Sequence, residues 1–411
     1  MKRVHFLFLS FVVLCLIAIV VIAFIVSKPP SSSSNLLYAL NALSPAVNKF
    51  ALNFYRTVAD SQMEQNLIYS PLSLSTAFAM LLLGARGETQ KQLFDRLSYN
   101  ESLKRAKDVH KAFDILLDAI DSSSESNYSM FIANRLFIQV HFEIKPSFKK
   151  YIKKSFKTSI ESVDFATKNI AQRINEWVAF KTQKKIENLF KEPFEAETKF
   201  VVVNAIYFHA KWLNAFDKDN TYDEPFYSEP GQAINVPFMH YTGEFKFFND
   251  TEKKFSLIEI KYATNVSLFV ILPNVRYDLH TLMSNLTLED IEYAINATEN
   301  RQMRLALPKF KFESEYDLKK TMEKMGVTSI FEKSADFTGL SPSSLAVTKA
   351  IHKAVIEVNE EGTEAAGSTG FVLEGRSNRI TPSFQANHPF LFIIRNIETK
   401  MIYFMGRVKH F

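Results

Sequence analysis

Glu360 to Ser377 reads EEGTEAAGSTGFVLEGRS, a stretch that opens on charge, thins to small residues and then turns apolar. Gly362 tolerates backbone angles that other residues avoid. From Thr363 to Gly370 there is almost no side-chain bulk, and Phe371-Val372-Leu373 favours extended structure. Alternate side chains of a strand face opposite sides of a sheet. One set here is Thr363, Ala365, Gly367, Thr369, Phe371 and Leu373, small first and apolar later. The other is Glu364, Ala366, Ser368, Gly370, Val372 and Glu374, and it carries both charges. A segment that must enter a sheet with one face buried needs that separation, because a one-residue slip buries both glutamates. An ordinary mobile loop has the same Gly, Ser and Ala content, so both readings stand at this point.

Outward from this stretch, Phe390 to Val408 predicts paired strands near the C-terminus. On the other side, Phe200 to Phe208 (FVVVNAIYF) is β-branched and aromatic, as a buried central strand is. Leu268 to Leu272, Arg304 to Phe312, Phe131 to Val140 and a short run before Pro71 are further strands. Apolar spacing predicts helices over Leu36 to Ala59, Leu72 to Leu83, much of Glu101 to Asp121, and Ile170 to Leu189 with Trp177. Ser122 to Ser129 reads as a polar loop. Helices concentrate early and strands late, which gives an α+β class. No repeat or low-complexity linker divides the chain after residue 35, so one large domain over 36–411 is the simplest reading.

The 411 residues are 47% hydrophobic and 23% charged, which suits a large core and excludes a disordered or collagen-like chain. A net charge of +5 is compatible with anionic partners without requiring nucleic acid. Residues 1–27 begin with Met1-Lys2-Arg3, and 6–26 are apolar apart from Ser10. Two readings fit this leader. A secretory signal could be cleaved after Val21-Ile22-Ala23, or an uncleaved anchor could span a bilayer. Cleavage and secretion is the reading favoured here. A Pro/Ser linker follows at 28–35. The one cysteine, Cys15, lies in the leader, so a mature chain has no disulfide and no cysteine metal site. Sequons at Asn100, Asn127, Asn249, Asn265, Asn285 and Asn296 agree with the secretory pathway.

Enzyme signatures are absent: no GxGxxG, P-loop, HExxH or GxSxG sequence occurs, and the nine histidines are scattered. No metal or cofactor is expected. Several segments read together do carry a resemblance. Asn66 to Ala79 (NLIYSPLSLSTAFA), Val202 to Phe216 (VVNAIYFHAKWLNAF), Leu307 to Glu313 (LPKFKFE) and Lys349 to Gly367 (KAIHKAVIEVNEEGTEAAG) resemble the serpin family. So do Ala335-Asp336-Phe337, Asn387-His388-Pro389-Phe390 and Phe404-Met405-Gly406-Arg407-Val408, all in family order. The resemblance implies three β-sheets, about nine helices and an exposed reactive-centre loop after Val358. It implies a monomer with no catalytic residues of its own.

That resemblance turns the opening stretch into an insertable segment. It implies a suicide-substrate inhibitor that traps a protease as an acyl-enzyme. The hinge is then Glu360, Gly362, Thr363, Glu364, Ala365, Ala366 and Gly367. Counting from Gly362 places the reactive bond between Arg376 and Ser377, with Gly375 as the P2-side neighbour. Arginine suits a trypsin-like pocket holding a buried carboxylate. Gly375-Arg376-Ser377 resembles the bait of antithrombin, which implies a thrombin- or factor-Xa-like target. Arg379 is the rival bait, in a register that overextends the segment. The alternative function is a non-inhibitory serpin acting as a binding or carrier protein.

Carried over from the family, Ser70, Ser73, Asn204 and His352 form a polar shutter beneath the sheet that opens. Trp212 and Lys309 mark the breach where the loop enters, with Lys309 and Glu360 a candidate ion pair. The sequence departs from the family at His209-Ala210, where a glycine usually stands ahead of the residue preceding Trp212. Lys149, Lys150, Lys153, Lys154 and Lys157 are a candidate site for heparin-like glycosaminoglycans. Lys104, Arg105, Lys107 and Lys111 form a second basic cluster, opposed on the same helix by Asp114, Asp118 and Asp121.

Overall fold

The computed structural model describes residues 32–122, 128–363 and 381–411. The leader, Asn127 and the loop residues 364–380 lie outside the described residues. Among those described, nine α-helices run in chain order: α1 (Ser32–Ser61), α2 (Pro71–Gly84), α3 (Gly87–Arg96), α4 (Ala106–Ser122), α5 (Pro146–Phe156), α6 (Ile170–Lys181), α7 (Leu279–Asn285), α8 (Leu288–Asn296) and α9 (Leu318–Lys324). The strands before the long hairpin are β1 (Leu67–Tyr69), β2 (Tyr128–Gln139), β3 (Ile160–Val163) and β4 (Phe200–Lys211). Then come β5 (Thr221–Glu229), β6 (Gln232–Asp250), β7 (Phe255–Lys261), β8 (Val266–Pro273), β9 (Glu299–Pro308) and β10 (Phe310–Asp317). The last are β11 (Lys349–Val358), β12 (Gly362–Thr363), β13 (Ser383–Gln385), β14 (Phe390–Asn396) and β15 (Ile402–Val408).

The strands form two hydrogen-bonded networks. Six strands lie in the order β10-β11-β4-β2-β3, with β12 added against β4. Nine follow the path β1-β15-β14-β8-β7-β6-β9-β13, with β5 on β6. The 19-residue β6 pairs with β5 and β9 through its earlier part and with β7 only from Lys246 onward. It therefore serves two sheets, and the three expected sheets appear as two networks.

β4 is apolar throughout because both of its faces are covered. Val202, Ile206 and Phe208 join the main core, while Val201, Val203, Ala205 and Tyr207 join a second cluster beneath α6. α2 sits within the main core and is buried along nearly its whole length. Pro71 fits its first turn, where no N–H is needed, and Ser70 caps it by accepting from the Ser73 N–H at 3.2 Å.

Several expected boundaries differ. α1 already begins at Ser32, inside the expected linker 28–35. Of the expected loop Ser122 to Ser129, Ser122 ends α4 while Tyr128 and Ser129 open β2. The helix from Ile170 stops at Lys181 rather than Leu189, because Gln183 and Lys184 adopt φ of +51° and +60°. Ile186 and Leu189 are still buried in the second cluster, so an irregular chain packs on the core and imitates helical spacing. The expected strand Arg304 to Phe312 is two strands, β9 and β10, which belong to different networks and part at Lys309. Pro308 has no N–H to continue the ladder. The helix within Glu101 to Asp121 begins only at Ala106.

Candidate functional site

The six-stranded network has a parallel seam at its centre, besides the parallel pair of β2 and β3 at its edge. β11 and β4 run side by side with seven residues in register, Lys349 to Val355 against Val201 to Tyr207. Antiparallel pairs flank the seam, β10 on β11 and β2 on β4. One register row crosses four strands: Asn134 stands opposite Asn204, Asn204 opposite His352, and His352 opposite Tyr316. Ser70 and Ser73 approach the row from α2.

These groups are hydrogen-bonded to one another. The Ser70 backbone N–H donates to His352 Nε2 at 3.1 Å, so the ring proton sits on Nδ1 and points to Asn204 Oδ1, its close partner. The Asn204 amide donates to the Ser73 carbonyl at 2.8 Å and to Ser73 Oγ at 2.7 Å, and also contacts Asn134 Oδ1. Asn134 in turn donates to the Ser73 carbonyl at 3.3 Å. Burial lowers the His352 pKa to about 3, so the imidazole is neutral at physiological pH. The four expected residues Ser70, Ser73, Asn204 and His352 are thus together. Asn134 and Tyr316 were missed. Asn134 left a signal, an amide inside the apolar run Phe131 to Val140, whereas Tyr316 left none, because an aromatic in a strand is ordinary.

At the end of the seam the chain reverses. Asn359 and Gly362 exchange backbone hydrogen bonds, and Asn359 Oδ1 accepts from the Glu361 N–H at 3.1 Å. Gly362 has φ +131°, and a Cβ there would lie 2.2 Å from the Ala210 carbonyl oxygen and 2.7 Å from Lys211 Cα. Glycine is required by both the angle and the close approach. After this turn β12 runs antiparallel to β4, with Gly362 opposite Lys211 and Thr363 opposite the fully buried Ala210.

The turn is gripped from three sides. The Trp212 backbone N–H donates to the Glu361 carbonyl at 3.1 Å, its indole N–H to the Asn359 carbonyl at 2.8 Å, and the Phe216 N–H to the Glu360 carbonyl at 2.8 Å. Trp212 stacks on Tyr262 with centroids 4.4 Å apart. Lys309 Nζ meets Glu360 Oε1 at 2.9 Å, the ion pair the sequence suggested, and Lys218 meets Glu361 at 2.7 Å. Burial raises the Glu360 carboxyl pKa, but the Lys309 ammonium and further hydrogen bonds outweigh this and leave it lowered. His209 and Ala210 belong to β4 in regular register, so the departure from the family motif leaves the strand intact.

A serine protease inhibitor (serpin) family model matches residues 45–411. The chain belongs to the serpin family. It is 37% identical to human Serpin B4 over 388 residues, covering 90% of this chain and 99% of that one. Human neuroserpin is 34% identical, with 89% and 91% covered. The solved structure of human thyroxine-binding globulin with its thyroxine ligand aligns with TM-score 0.82 at 28% identity, covering 91% of this chain and 99% of that one. Serpins are inhibitors of serine proteases rather than enzymes, and this serpin has the α+β serpin fold.

The remaining expected residues of this serpin are dispersed. Glu360, Gly362 and Thr363 are in the turn and β12, whereas Glu364, Ala365, Ala366, Gly367, Gly375, Arg376, Ser377 and Arg379 lie outside the described residues. Lys149, Lys150 and Lys153 are exposed on α5. Lys157 pairs with Asp114 at 3.2 Å and Asp118 at 2.7 Å, and Lys154 approaches Asp114 at 3.9 Å. Acids of α4 thus neutralise part of the basic run. Asn100, Asn249, Asn265, Asn285 and Asn296 are all exposed.

Proposed function

We propose that this serpin is an irreversible suicide-substrate inhibitor of trypsin-like, thrombin- or factor-Xa-like serine proteases, with Arg376 as the bait. The observation that carries the reading is β12: the residues leading into the loop already pair antiparallel with β4 where the parallel seam ends. A strand continued from there between β11 and β4 would replace one parallel contact with two antiparallel ladders, the slightly more stable pairing. Strand insertion by a serpin reactive loop is a known mode of β-augmentation. The alternating pattern from Thr363 to Leu373 suits that path.

The chemistry is the protease's. Its serine oxygen attacks the Arg376 carbonyl carbon, the peptide bond to Ser377 breaks, and the new amine takes a proton from the protease histidine. An acyl-enzyme remains. Insertion of the freed segment carries the protease along and distorts its active site before water can attack. The Arg376 guanidinium binds the buried carboxylate of the specificity pocket. Incubation with trypsin or thrombin should yield a complex that survives SDS, and Arg376→Ala should abolish it. Cleavage after Arg376 with no complex overturns the inhibitor reading.

A second reading, a binding or carrier serpin, draws on the likeness to thyroxine-binding globulin. It also draws on a cavity of about 190 Å³ edged by Lys246, Arg395 and Lys400 with Phe269, Ile295 and Ile397 as apolar walls. Retained ligand together with clean loop cleavage would favour it. Secretion after cleavage behind Ala23, glycosylation at the exposed sequons and glycosaminoglycan binding through Lys149, Lys150 and Lys153 belong to the same proposal. N-terminal sequencing of the mature chain separates secretion from anchoring through 6–26.

A further inference from the structure

The ladder between β6 and β7 stops at Lys246 opposite Glu259, although β7 continues to Lys261. Before Lys246, β6 pairs with β9, while β7 stays with β8. A fork opens between the two strands and holds a cavity of about 150 Å³. Its aromatic walls are Phe216, Tyr241 and Phe245, whose rings meet edge-on with centroids 6.1 and 5.8 Å apart.

Two pairs of opposite charges stand at this fork in different states. Lys246 and Glu259 are already engaged, 3.8 Å apart, and the carboxylate also accepts from Ser267 Oγ at 2.7 Å. Continuing the antiparallel count by two residues on each strand sets Glu244 opposite Lys261. Both line the cavity and both are exposed, yet no ion pair joins them. Glu244 pairs instead in register with Gln302 of β9.

We propose that the fork binds an aromatic amino-acid zwitterion, and that its occupancy holds the hinge turn in place. A cavity of about this volume accepts a benzene-sized ring. The ring enters among Phe216, Tyr241 and Phe245. The carboxylate meets Lys261 and the ammonium meets Glu244, so that one molecule completes the cross-strand pair that the fork leaves open. The same wall reaches the hinge. Leu213, also lining the cavity, donates its N–H to the Lys261 carbonyl at 2.8 Å, and the Phe216 N–H holds the Glu360 carbonyl. A ligand that fixes residues 213–216 therefore favours the state in which the turn is gripped and β12 is seated. Linkage requires the reverse effect: a seated β12 must strengthen binding by the same factor.

The coupling rests on reading this hinge as the point of loop entry, whereas the binding does not. The test is a titration of the full chain, in a Trp177→Phe background that leaves Trp212 as the reporter beside Phe216. L-Phenylalanine should give a saturable change in Trp212 emission and raise the melting temperature. Phenylalaninamide lacks the carboxylate and 3-phenylpropionate lacks the ammonium, and each should bind about tenfold more weakly. The exposed substitutions Lys261→Gln and Glu244→Gln should weaken L-phenylalanine by a similar factor. Gly362→Ala, which unseats β12 without touching the cavity, should also weaken it. No saturable signal or thermal shift at about 10 mM overturns the site. Equal binding of the three probes, or binding indifferent to Lys261→Gln, overturns it as well. Binding indifferent to Gly362→Ala overturns the coupling. If binding persists while no protease complex forms, the inhibitor reading fails and the site stands.

Discussion

The buried arginines of the nine-stranded network and the polar seam row of the six-stranded one work in opposite ways. In the nine-stranded network β14 and β15 are buried at every residue and every contact along them is antiparallel. Its buried charges act as fasteners. Arg395 takes Glu292 in a two-pronged pair at 2.8 and 3.3 Å, and Arg407 donates to the carbonyls of Gln62, Met63 and Gln65. In the six-stranded network the seam row is neutral, built from amides, hydroxyls and an uncharged imidazole. Neutral hydrogen bonds cost far less to exchange than buried ion pairs cost to break. Under the proposed insertion mechanism, the first sheet stays closed while the neutral row lets β11 and β4 part.

The largest break in this comparison comes from Thr363→Arg. Position 363 is opposite fully buried Ala210. Carrying an unpaired guanidinium into a sheet costs on the order of several kcal/mol. Complex formation with trypsin should fall by at least about a hundredfold, with cleaved, uncomplexed chain in its place. Retention of full inhibition by this variant contradicts the insertion model. The matching change in the closed sheet is Phe392→Ala, which empties a fully buried site in β14. It should lower the unfolding free energy by about 3–5 kcal/mol. Chemical denaturation reads this, and the stoichiometry of inhibition in the surviving native fraction should be unchanged.

A smaller effect tests the neutral row through pH. His352 has its folded pKa lowered to about 3, so the unfolded chain binds a proton first as pH falls. The stability tied to the neutral ring is complete above the unfolded pKa near 6.5 and is lost as pH drops toward the folded value. The slope is about 1.4 kcal/mol per pH unit, or roughly 3 kcal/mol by pH 4.5. His110, lowered to about 4 by burial, adds a similar slope elsewhere. The difference between wild type and His352→Gln isolates the row. Equal pH slopes in the two proteins dismiss the assignment.

The sequence made the seam legible where composition had to be unusual. FVVVNAIYF announces a strand covered on both faces, and the polar residues inside it and inside KAIHKAVIEV stand out because burial demands partners for them. The hinge was legible for the same reason, since Gly362 answers a backbone need that few residues meet. Long-range geometry was not legible. Nothing local tells Lys309 that it separates two sheets, nor that β6 is shared between them, because both follow from pairing with residues far along the chain. The fork between β6 and β7 also escaped notice. Glu244 and Lys261 look like ordinary surface charges until the β6–β7 ladder is counted on past its last pair, Lys246 and Glu259.

The smallest effect concerns the point where the two regions meet, at Lys309 between β9 and β10. Glu360→Gln keeps a hydrogen-bonding side chain of nearly the same shape and removes only the charge. Lys309 is about one-third exposed, with side-chain exposure of 36% against 6% for Glu360, so solvent screens part of the pair. The expected loss is about 1 kcal/mol at neutral pH. The sign of its pH dependence is fixed by the lowered carboxyl pKa: the contribution is present above the unfolded value, near 4.3, and disappears as pH falls through the folded one. Melting curves of wild type and Glu360→Gln should therefore differ at about pH 7 and converge in acid, once the His352 contribution common to both is subtracted. A difference that persists unchanged in acid would mean that Glu360 acts through packing, and that the charge pair contributes nothing to holding the turn.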